Sequence, residues 1–146
     1  MFGVAESTWL GRASLVGPLG RTPHPPLFPK GPIPQELKVI ADFYDLMLWL
    51  ICHTEKFPRH HRYSLGVAIE DRLQAILSLL LRAKYSKDKA VYLNDANIEL
   101  EVLRFQMRLA KDLKVLPLGS HEHGVKLILS VGSQVGGWLK SVGGRG

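Results

Sequence analysis

The sequence has a single cysteine, no long apolar run and no alternating pattern that would predict a β-strand. Because Cys52 has no second cysteine to pair with, no disulfide can form within the chain, and the reducing cytoplasm is the natural compartment. Cys52 ends an apolar run that begins at Leu46, so we expect its thiol to be buried and unreactive. The longest apolar runs, 46–52 and 75–81, are too short to cross a bilayer. The N-terminus lacks the features of a signal peptide, so we expect a soluble cytoplasmic protein without membrane contact.

The sequence also lacks the residue combinations that are typical of active sites and metal sites. It has no nucleophile placed beside a base, no paired carboxylates and no phosphate-binding glycine loop. His60 and His61 are adjacent, and His121 and His123 are separated by one residue, so neither pair shares one side of a helix. Helical zinc sites instead place histidines at positions i and i+4. We therefore expect a protein that is not an enzyme and that holds no metal or cofactor.

Proline is concentrated at one end of the chain. Seven of the nine prolines lie in residues 1–34, which show no helical periodicity. Proline is not tolerated inside helices, and this composition is typical of disorder, so we predict an extended or disordered leader. Such a leader could also be translated upstream sequence if the true start lies later. The glycine-rich residues 143–146 are predicted to be a flexible tail, which leaves 35–142 as the folded domain.

Between these ends, apolar residues recur at intervals of three and four, which is the period of an α-helix. Pro58 and Pro117 interrupt the pattern, and Ser120 is a suitable N-cap for the last helix. The predicted helices span about 35–56, 59–85, 87–115 and 121–142. The predicted core positions are Leu37, Ile40, Tyr44, Met47 or Leu48, Ile51; Leu65, Ile69, Leu73, Ile76, Leu80; Leu93, Ala96, Leu100, Leu103, Met107, Ala110; Ile128, Val131, Val135, Trp138 and Val142. Four long helices with short connections predict an all-α fold, an up-down-up-down antiparallel four-helix bundle.

The second predicted helix is more apolar than a solitary bundle requires. Its residues 75–77 and 79–81 are apolar nearly all the way round the helix, and 46–51 in the first helix are similar. Because each helix of a four-helix bundle keeps one face exposed, a second subunit is the simplest cover for the surplus. We therefore expect a homo-oligomer with an interface formed by Ile76, Leu77, Leu80 and Leu81.

Basic residues outnumber acidic ones, 19 against 13, and give a formal net charge of +6. Most of this excess lies in residues 58–90, and Arg59 and Arg62 stand at the start of the second predicted helix. A basic surface attracts polyanions, and guanidinium groups pair well with phosphate. The charge distribution therefore favours RNA or DNA as a partner.

The third predicted helix carries a row of cations. Arg104, Arg108 and Lys111 stand at i, i+4 and i+7, so they share one side of the helix and suit a phosphate backbone. No element for reading bases is evident, so binding would be largely independent of sequence. The alternative is a solvated face with local ion pairs, in which Glu101 reaches Arg104 and Arg108 reaches Asp112.

Three segments carry a family resemblance. They are residues 57–66, residues 100–114, which end in RLAKDLK, and residues 131–141, which contain GGWLKS. Together they resemble the accessory variability determinant (Avd) proteins of diversity-generating retroelements. The resemblance covers about 35–142 and leaves out the leader.

The resemblance implies a four-helix bundle that assembles into a basic, barrel-shaped homopentamer and binds the element's reverse transcriptase and nucleic acid. The polymerase would supply the catalytic residues for error-prone cDNA synthesis from a template repeat RNA, whose adenines become mutated in a variable target gene. By matching motif, the residues implied to contact polymerase or nucleic acid are Arg104 and Arg108, followed by Arg59, Arg62, Lys111 and Lys114. Two alternatives stay open: a bundle of the ribosomal-RNA intervening-sequence type and a purely structural homo-oligomer.

Overall fold

The computed structural model describes residues 34–143, and the regular structure within them is helical throughout. Helix α1 spans Gln35–Thr54. The second helical segment, α2, covers residues 59–85 and consists of an α-helical turn Arg59–His61, a π-helical turn Arg62–Gly66 and an α-helix Val67–Tyr85. Helices α3 and α4 span Lys89–Asp112 and Leu118–Gly143. No helix in this part of the chain has both the length and the hydropathy to cross a membrane.

The four helices form a bundle in which each packs against two neighbours, in the ring order α1, α2, α3, α4. The connections 55–58, 86–88 and 113–117 are short, so consecutive helices run in opposite directions. The described residues therefore have the predicted all-α, four-helix architecture. The predicted leader and residues 144–146 of the predicted tail lie outside the described residues, so the proposed domain boundaries stay predictions.

The start of α4 differs from the prediction. The helix begins at Leu118, and the backbone N–H of His121 donates to the carbonyl oxygen of Pro117 at 2.9 Å. Pro117 therefore precedes the helix, and Ser120 lies inside its first turn, so the prediction of Ser120 as N-cap is wrong. A proline at this point costs little, because the first N–H groups of a helix have no helical partner.

The predicted core is confirmed in three helices. All six positions predicted in α3 are buried, as are Ile69, Leu73, Ile76 and Leu80 of α2 and Ile128, Val131, Val135 and Trp138 of α4. Leu65 and Val142 are partly buried against the same core. The period of three and four was sufficient here, because each of these helices has one dominant apolar side.

The predicted core side of α1 is partly wrong. Met47 is buried as predicted, and Ile40 and Ile51 are partly buried against the core, but Tyr44 and Leu48 are not core residues. The buried residues are Val39, Phe43, Leu46, Met47 and Leu50, whereas Tyr44 and Leu48 are each 56% exposed. Apolar residues occur on both sides of this helix, so two series with the same spacing fit the sequence equally well. Packing against α2 and α4 decides between them.

Two of the four predicted oligomer-interface residues are in the core of the chain itself. Ile76 and Leu80 are completely buried by its own helices, so they are not accessible to a second subunit. Leu77 is partly buried and Leu81 is 38% exposed, and both line a wide groove of about 760 Å³ between α1 and α2. The surplus apolar surface of α2 therefore reduces to Leu77, Leu81 and the exposed Tyr85 beside them.

Cys52 is exposed rather than buried. Leu50 and Thr54 occupy the core side of the last turns of α1, which leaves Cys52 on the solvent side. The expectation of a buried thiol is therefore wrong, for the same reason as the misplaced core side of α1.

Helix α4 packs closely against side chains of two other helices at Gly124. A Cβ atom there would lie 2.2 Å from Cε of Met107 on α3 and 3.0 Å from Cζ3 of Trp49 on α1. A larger residue there would require the flexible end of Met107 and the Trp49 ring to shift. Gly132 and Gly136 differ, since a Cβ at either would meet no atom of the described residues within 4 Å.

A polar contact between α1 and α4 centres on Asp42. Its carboxylate accepts hydrogen bonds from Nζ of Lys38 at 2.7 Å and from Nε2 of Gln134 at 2.8 Å. Burial acts to raise the pKa of the Asp42 carboxyl. The two hydrogen bonds and the Lys38 charge outweigh it, and the pKa lies below the usual value of 3.8.

We predict that the free energy of unfolding falls as the pH drops below about 4, and that Asp42→Asn removes part of this dependence. With its pKa lowered in the folded state, Asp42 stabilises the fold above its unfolded pKa, and the stabilisation is lost as the pH falls through the folded value. The partly exposed carboxyl accounts for less than one proton of the total. Urea denaturation of both proteins between about pH 3 and pH 7 measures the difference. Identical pH dependence in the two proteins would contradict the role of Asp42.

Candidate nucleic-acid interface

The first turns of α2 and the last turns of α3 lie at the same end of the bundle. The two helices are antiparallel neighbours, and Arg72 of α2 forms an ion pair with Glu99 of α3. Moving ten residues from this pair in opposite directions brings Arg62 to about the level of Leu109. The fold thus brings together two basic segments that are far apart in the sequence.

We call this set of cations the basic end, which consists of Arg59, Arg62, Arg108, Lys111 and Lys114. All are exposed except Lys111, which is partly buried. The two connections at this end are held to the core, because Phe57 and Leu116 are buried. Five of the six residues predicted to contact polymerase or nucleic acid therefore lie at one anchored end of the bundle, which suits a polyanion.

Arg104, the sixth predicted residue, lies one turn nearer the middle of α3 and is occupied by a carboxylate. Its Nε and Nη2 donate to the two oxygens of Glu101 at 2.7 and 2.8 Å. The hydrogen bond from Arg104 lowers the pKa of Glu101, and the same contact raises the pKa of Arg104 above its usual value. Arg104 therefore has less capacity for phosphate than the cations of the basic end.

The pairing at the end of α3 is looser. Nε of Arg108 lies 3.8 Å from Oδ2 of Asp112, and Nζ of Lys111 lies 3.6 Å from Oδ1 of the same carboxylate. One negative charge is shared by two cations, and neither distance is that of a hydrogen bond. Both ion pairs predicted for α3, Glu101–Arg104 and Arg108–Asp112, are thus present. Arg108 and Lys111 are held less closely by a carboxylate than Arg104 is, so they are more available to an external partner.

Two exposed aromatic rings lie beside the basic residues, and neither was among the site residues predicted from the sequence. Tyr63 is 67% exposed and Phe105 is 58% exposed. The guanidinium carbon of Arg62 lies 5.7 Å from the Tyr63 ring centroid, and that of Arg104 lies 5.7 Å from the Phe105 ring centroid. The available signal was an aromatic residue directly after an arginine in each helix.

Phe105 also forms part of a small groove between α3 and α4. The groove has a volume of about 180 Å³, and its lining residues are Arg104, Phe105, Arg108, His121 and Val125. Both arginines that the family resemblance selects therefore stand beside an exposed aromatic ring and an apolar side chain. This combination of charge and apolar surface suits a protein or nucleic-acid partner better than a free ion.

The histidines that could suggest a metal site make other contacts. The rings of His60 and His61 lie 4.0 Å apart, and His123 packs on Trp49 with ring centroids 5.1 Å apart. Within residues 34–143, no three of the His, Cys, Asp and Glu side chains are placed to hold one metal ion.

Lys114 adopts a conformation that usually belongs to glycine. Its φ is 64°, in the left-handed region, directly after the end of α3. The N–H of Lys114 donates to the carbonyl of Lys111 at 2.9 Å, and that of Val115 donates to the carbonyl of Ala110 at 3.0 Å. These two bonds are those of a Schellman motif, in which glycine is the preferred residue at the position of Lys114.

We predict that Lys114→Gly raises the free energy of unfolding by about 0.5–1 kcal/mol, because glycine has no Cβ to strain at positive φ. Lys114→Ala keeps the Cβ and should give no such gain. Urea denaturation of the two variants separates conformation from charge, since both remove the same ammonium group. An equal gain in both would show that charge removal, not the backbone, is responsible.

The segments that carried the family resemblance now have structural positions. Residues 108–114 form the last turn of α3 with its Schellman motif, and Trp138 of the second segment is buried in the core. The sequence profile of the bAvd-like family matches residues 38–142, which is most of the chain and all four helices. No curated protein matches the chain. The extent of the profile match shows that this chain belongs to the bAvd-like family, the accessory variability determinants.

Proposed function

We propose that this chain is the non-catalytic accessory subunit of a diversity-generating retroelement and that it binds the element's reverse transcriptase and nucleic acid during mutagenic cDNA synthesis. Family membership supports the accessory role. The observation that carries the binding role is the basic end, where two segments distant in sequence place five cations at one end of the bundle. The same proposal places the protein in the cytoplasm with the element's RNA.

Nucleic acid binds at the basic end through its phosphates. The cations are exposed, and Arg108 and Lys111 share a single distant carboxylate, so they can exchange it for phosphate at little cost. Contacts of this kind carry no sequence information and give an affinity that depends strongly on salt. Because these contacts involve phosphates alone, both RNA and DNA can bind.

Sister subunits and the polymerase bind to apolar surface. We assign Leu77 and Leu81, which line the groove between α1 and α2, to a homo-oligomer interface, and five subunits follow from the family resemblance. The polymerase takes the groove between α3 and α4 on the side of Arg104 towards the middle of the bundle, where Ile128 and the exposed Leu129 line a pocket of about 430 Å³. Each partner then covers apolar side chains that the single chain leaves in water.

Filter binding of RNA across a salt series tests the phosphate contacts. We expect log K to fall linearly with log salt, by about 0.7 per phosphate contacted for a single strand. Affinity that does not change with salt, or no affinity at low salt, would exclude the basic end as a nucleic-acid site.

Co-purification with the reverse transcriptase tests the polymerase contact. Arg104→Ala combined with Arg108→Ala should leave helicity and mass unchanged, since both side chains are in surface ion pairs, and should weaken binding to the polymerase. Loss of helicity would show that the two arginines are structural. Light scattering of the same samples tests the proposed homo-oligomer. A monomeric mass would contradict it.

A further inference from the structure

We infer that Tyr63 and Phe105 are stacking platforms for unpaired bases, so that the basic end takes single-stranded nucleic acid in preference to a duplex. This inference rests on the proposed nucleic-acid binding and adds the class of strand. Both rings are more than half exposed, although burying an aromatic ring is strongly favourable. Within the described residues, Phe105 is the one exposed aromatic ring on α3. An exposed ring beside cations is the arrangement by which proteins hold single strands.

Tyr63 and Phe105 lie at the same end of the bundle, where one strand of nucleic acid could reach both rings. Tyr63 is in the π-helical turn of α2, and Phe105 is on the neighbouring helix α3, at about the level of Gly66 by the same register that pairs Arg72 with Glu99. Axes of packed helices lie about 8–10 Å apart, and Phe105 lines the groove between α3 and α4, so a strand that stacks on both rings crosses α3. Arg59, Arg62 and Arg108 are at the same levels and can hold the phosphates between them.

The local geometry leaves the ring faces available. Each arginine lies 5.7 Å from its ring centroid, near the outer limit of a cation–π contact, so the guanidinium does not cover the ring closely. Tyr85, at the opposite end of α2, differs in this respect. Nζ of Lys84 lies 4.2 Å from its ring centroid, and the Tyr85 side chain also lines the groove between α1 and α2. Tyr85 is therefore a matched control, an exposed tyrosine with a cation already on its face.

A duplex offers little to these rings. Its bases are stacked on one another and are reached only by their edges in the grooves, whereas a single strand exposes base faces. Stacking is tolerant of sequence because every base has such a face. The inferred preference for single strands therefore agrees with binding that reads no sequence.

The test compares an unstructured strand of about 12 nucleotides with an abasic strand of equal phosphate number, in separate RNA and DNA arms, by fluorescence anisotropy. We expect the natural protein to bind the base-bearing strand roughly tenfold or more tightly than the abasic one. Tyr63→Leu with Phe105→Leu should abolish this preference and leave affinity for the abasic strand and the salt slope unchanged. Tyr63→Phe and Tyr85→Leu should keep the preference.

The outcomes separate the two proposals. Equal affinity of the natural protein for both strands, or an undiminished preference in the leucine double variant, would overturn base stacking while leaving phosphate binding intact. A preference that Tyr85→Leu abolishes would also overturn it, since the strand would then be at the other end of α2. No binding of either strand at low salt would overturn the proposed nucleic-acid function, and base stacking with it. Thermal melting of each variant shows that the fold is retained, as substitutions of exposed side chains should allow.

Discussion

Phe43→Ala should lower the free energy of unfolding by about 3–5 kcal/mol, which is the usual cost of deleting a buried aromatic ring. Phe43 is completely buried in the bundle. The loss includes the apolar area returned to water and the cavity that the surrounding helices cannot fully close. Urea denaturation followed by circular dichroism would measure it, and such a loss is a large part of the stability of a domain of this size.

Tyr44→Ala is the matched control, one residue further along the same helix. Tyr44 is 56% exposed, so its truncation should cost no more than about 0.5 kcal/mol. The comparison decides which side of α1 faces the core, because the sequence pattern selected Tyr44 and the structure selects Phe43. A larger loss for Tyr44→Ala than for Phe43→Ala would reverse that conclusion. If Tyr44 were instead covered by a second subunit, the melting temperature would depend on protein concentration.

Arg59→Ala with Arg62→Ala should weaken RNA binding roughly 10- to 100-fold at about 0.1 M salt and reduce the salt slope by about 1.4, which is about 0.7 for each of two phosphate contacts. Both side chains are exposed at the basic end, so their removal should leave stability nearly unchanged. Filter binding at several salt concentrations gives both quantities.

The control for this pair lies at the opposite end of the bundle, with Arg82 in the last turn of α2 and Lys87 in the connection that follows it. Arg82→Ala with Lys87→Ala also removes two exposed positive charges and changes the net charge by the same amount. If position matters, this variant should bind RNA nearly as well as the natural protein. Equal losses in the two pairs would mean that RNA responds to total charge and that the basic end is not a site.

The sequence was most informative where a helix has one dominant apolar side. In α3, six predicted positions are all buried, and the apolar period, with its interruptions at Pro58 and Pro117, placed all four helices within a few residues. In α1 both sides are apolar, so periodicity alone could not choose between Phe43 and Tyr44. The π-helical turn at Arg62–Gly66 was not predictable either, since it inserts extra backbone into a helix whose residue pattern gives no signal for it.

The candidate site was predictable in composition and not in arrangement. The spacing of Arg104, Arg108 and Lys111 placed them on one side of α3, and both local ion pairs followed from the sequence. That Arg59 and Arg62 lie at the same end of the bundle as Arg108 and Lys111 depends on the antiparallel packing of α2 and α3, which no local pattern contains. The strained backbone at Lys114 was equally hidden, because a lysine at a position of positive φ contradicts the residue preference on which a prediction would rely.

The most direct test of the accessory role is cDNA synthesis on the template repeat RNA by the element's reverse transcriptase, with and without this chain. We predict abundant cDNA from the two proteins together, little from the polymerase alone and none from this chain alone. Addition of the Arg59→Ala, Arg62→Ala variant should restore less cDNA than addition of the Arg82→Ala, Lys87→Ala control. Equal amounts of cDNA with and without this chain would contradict the account.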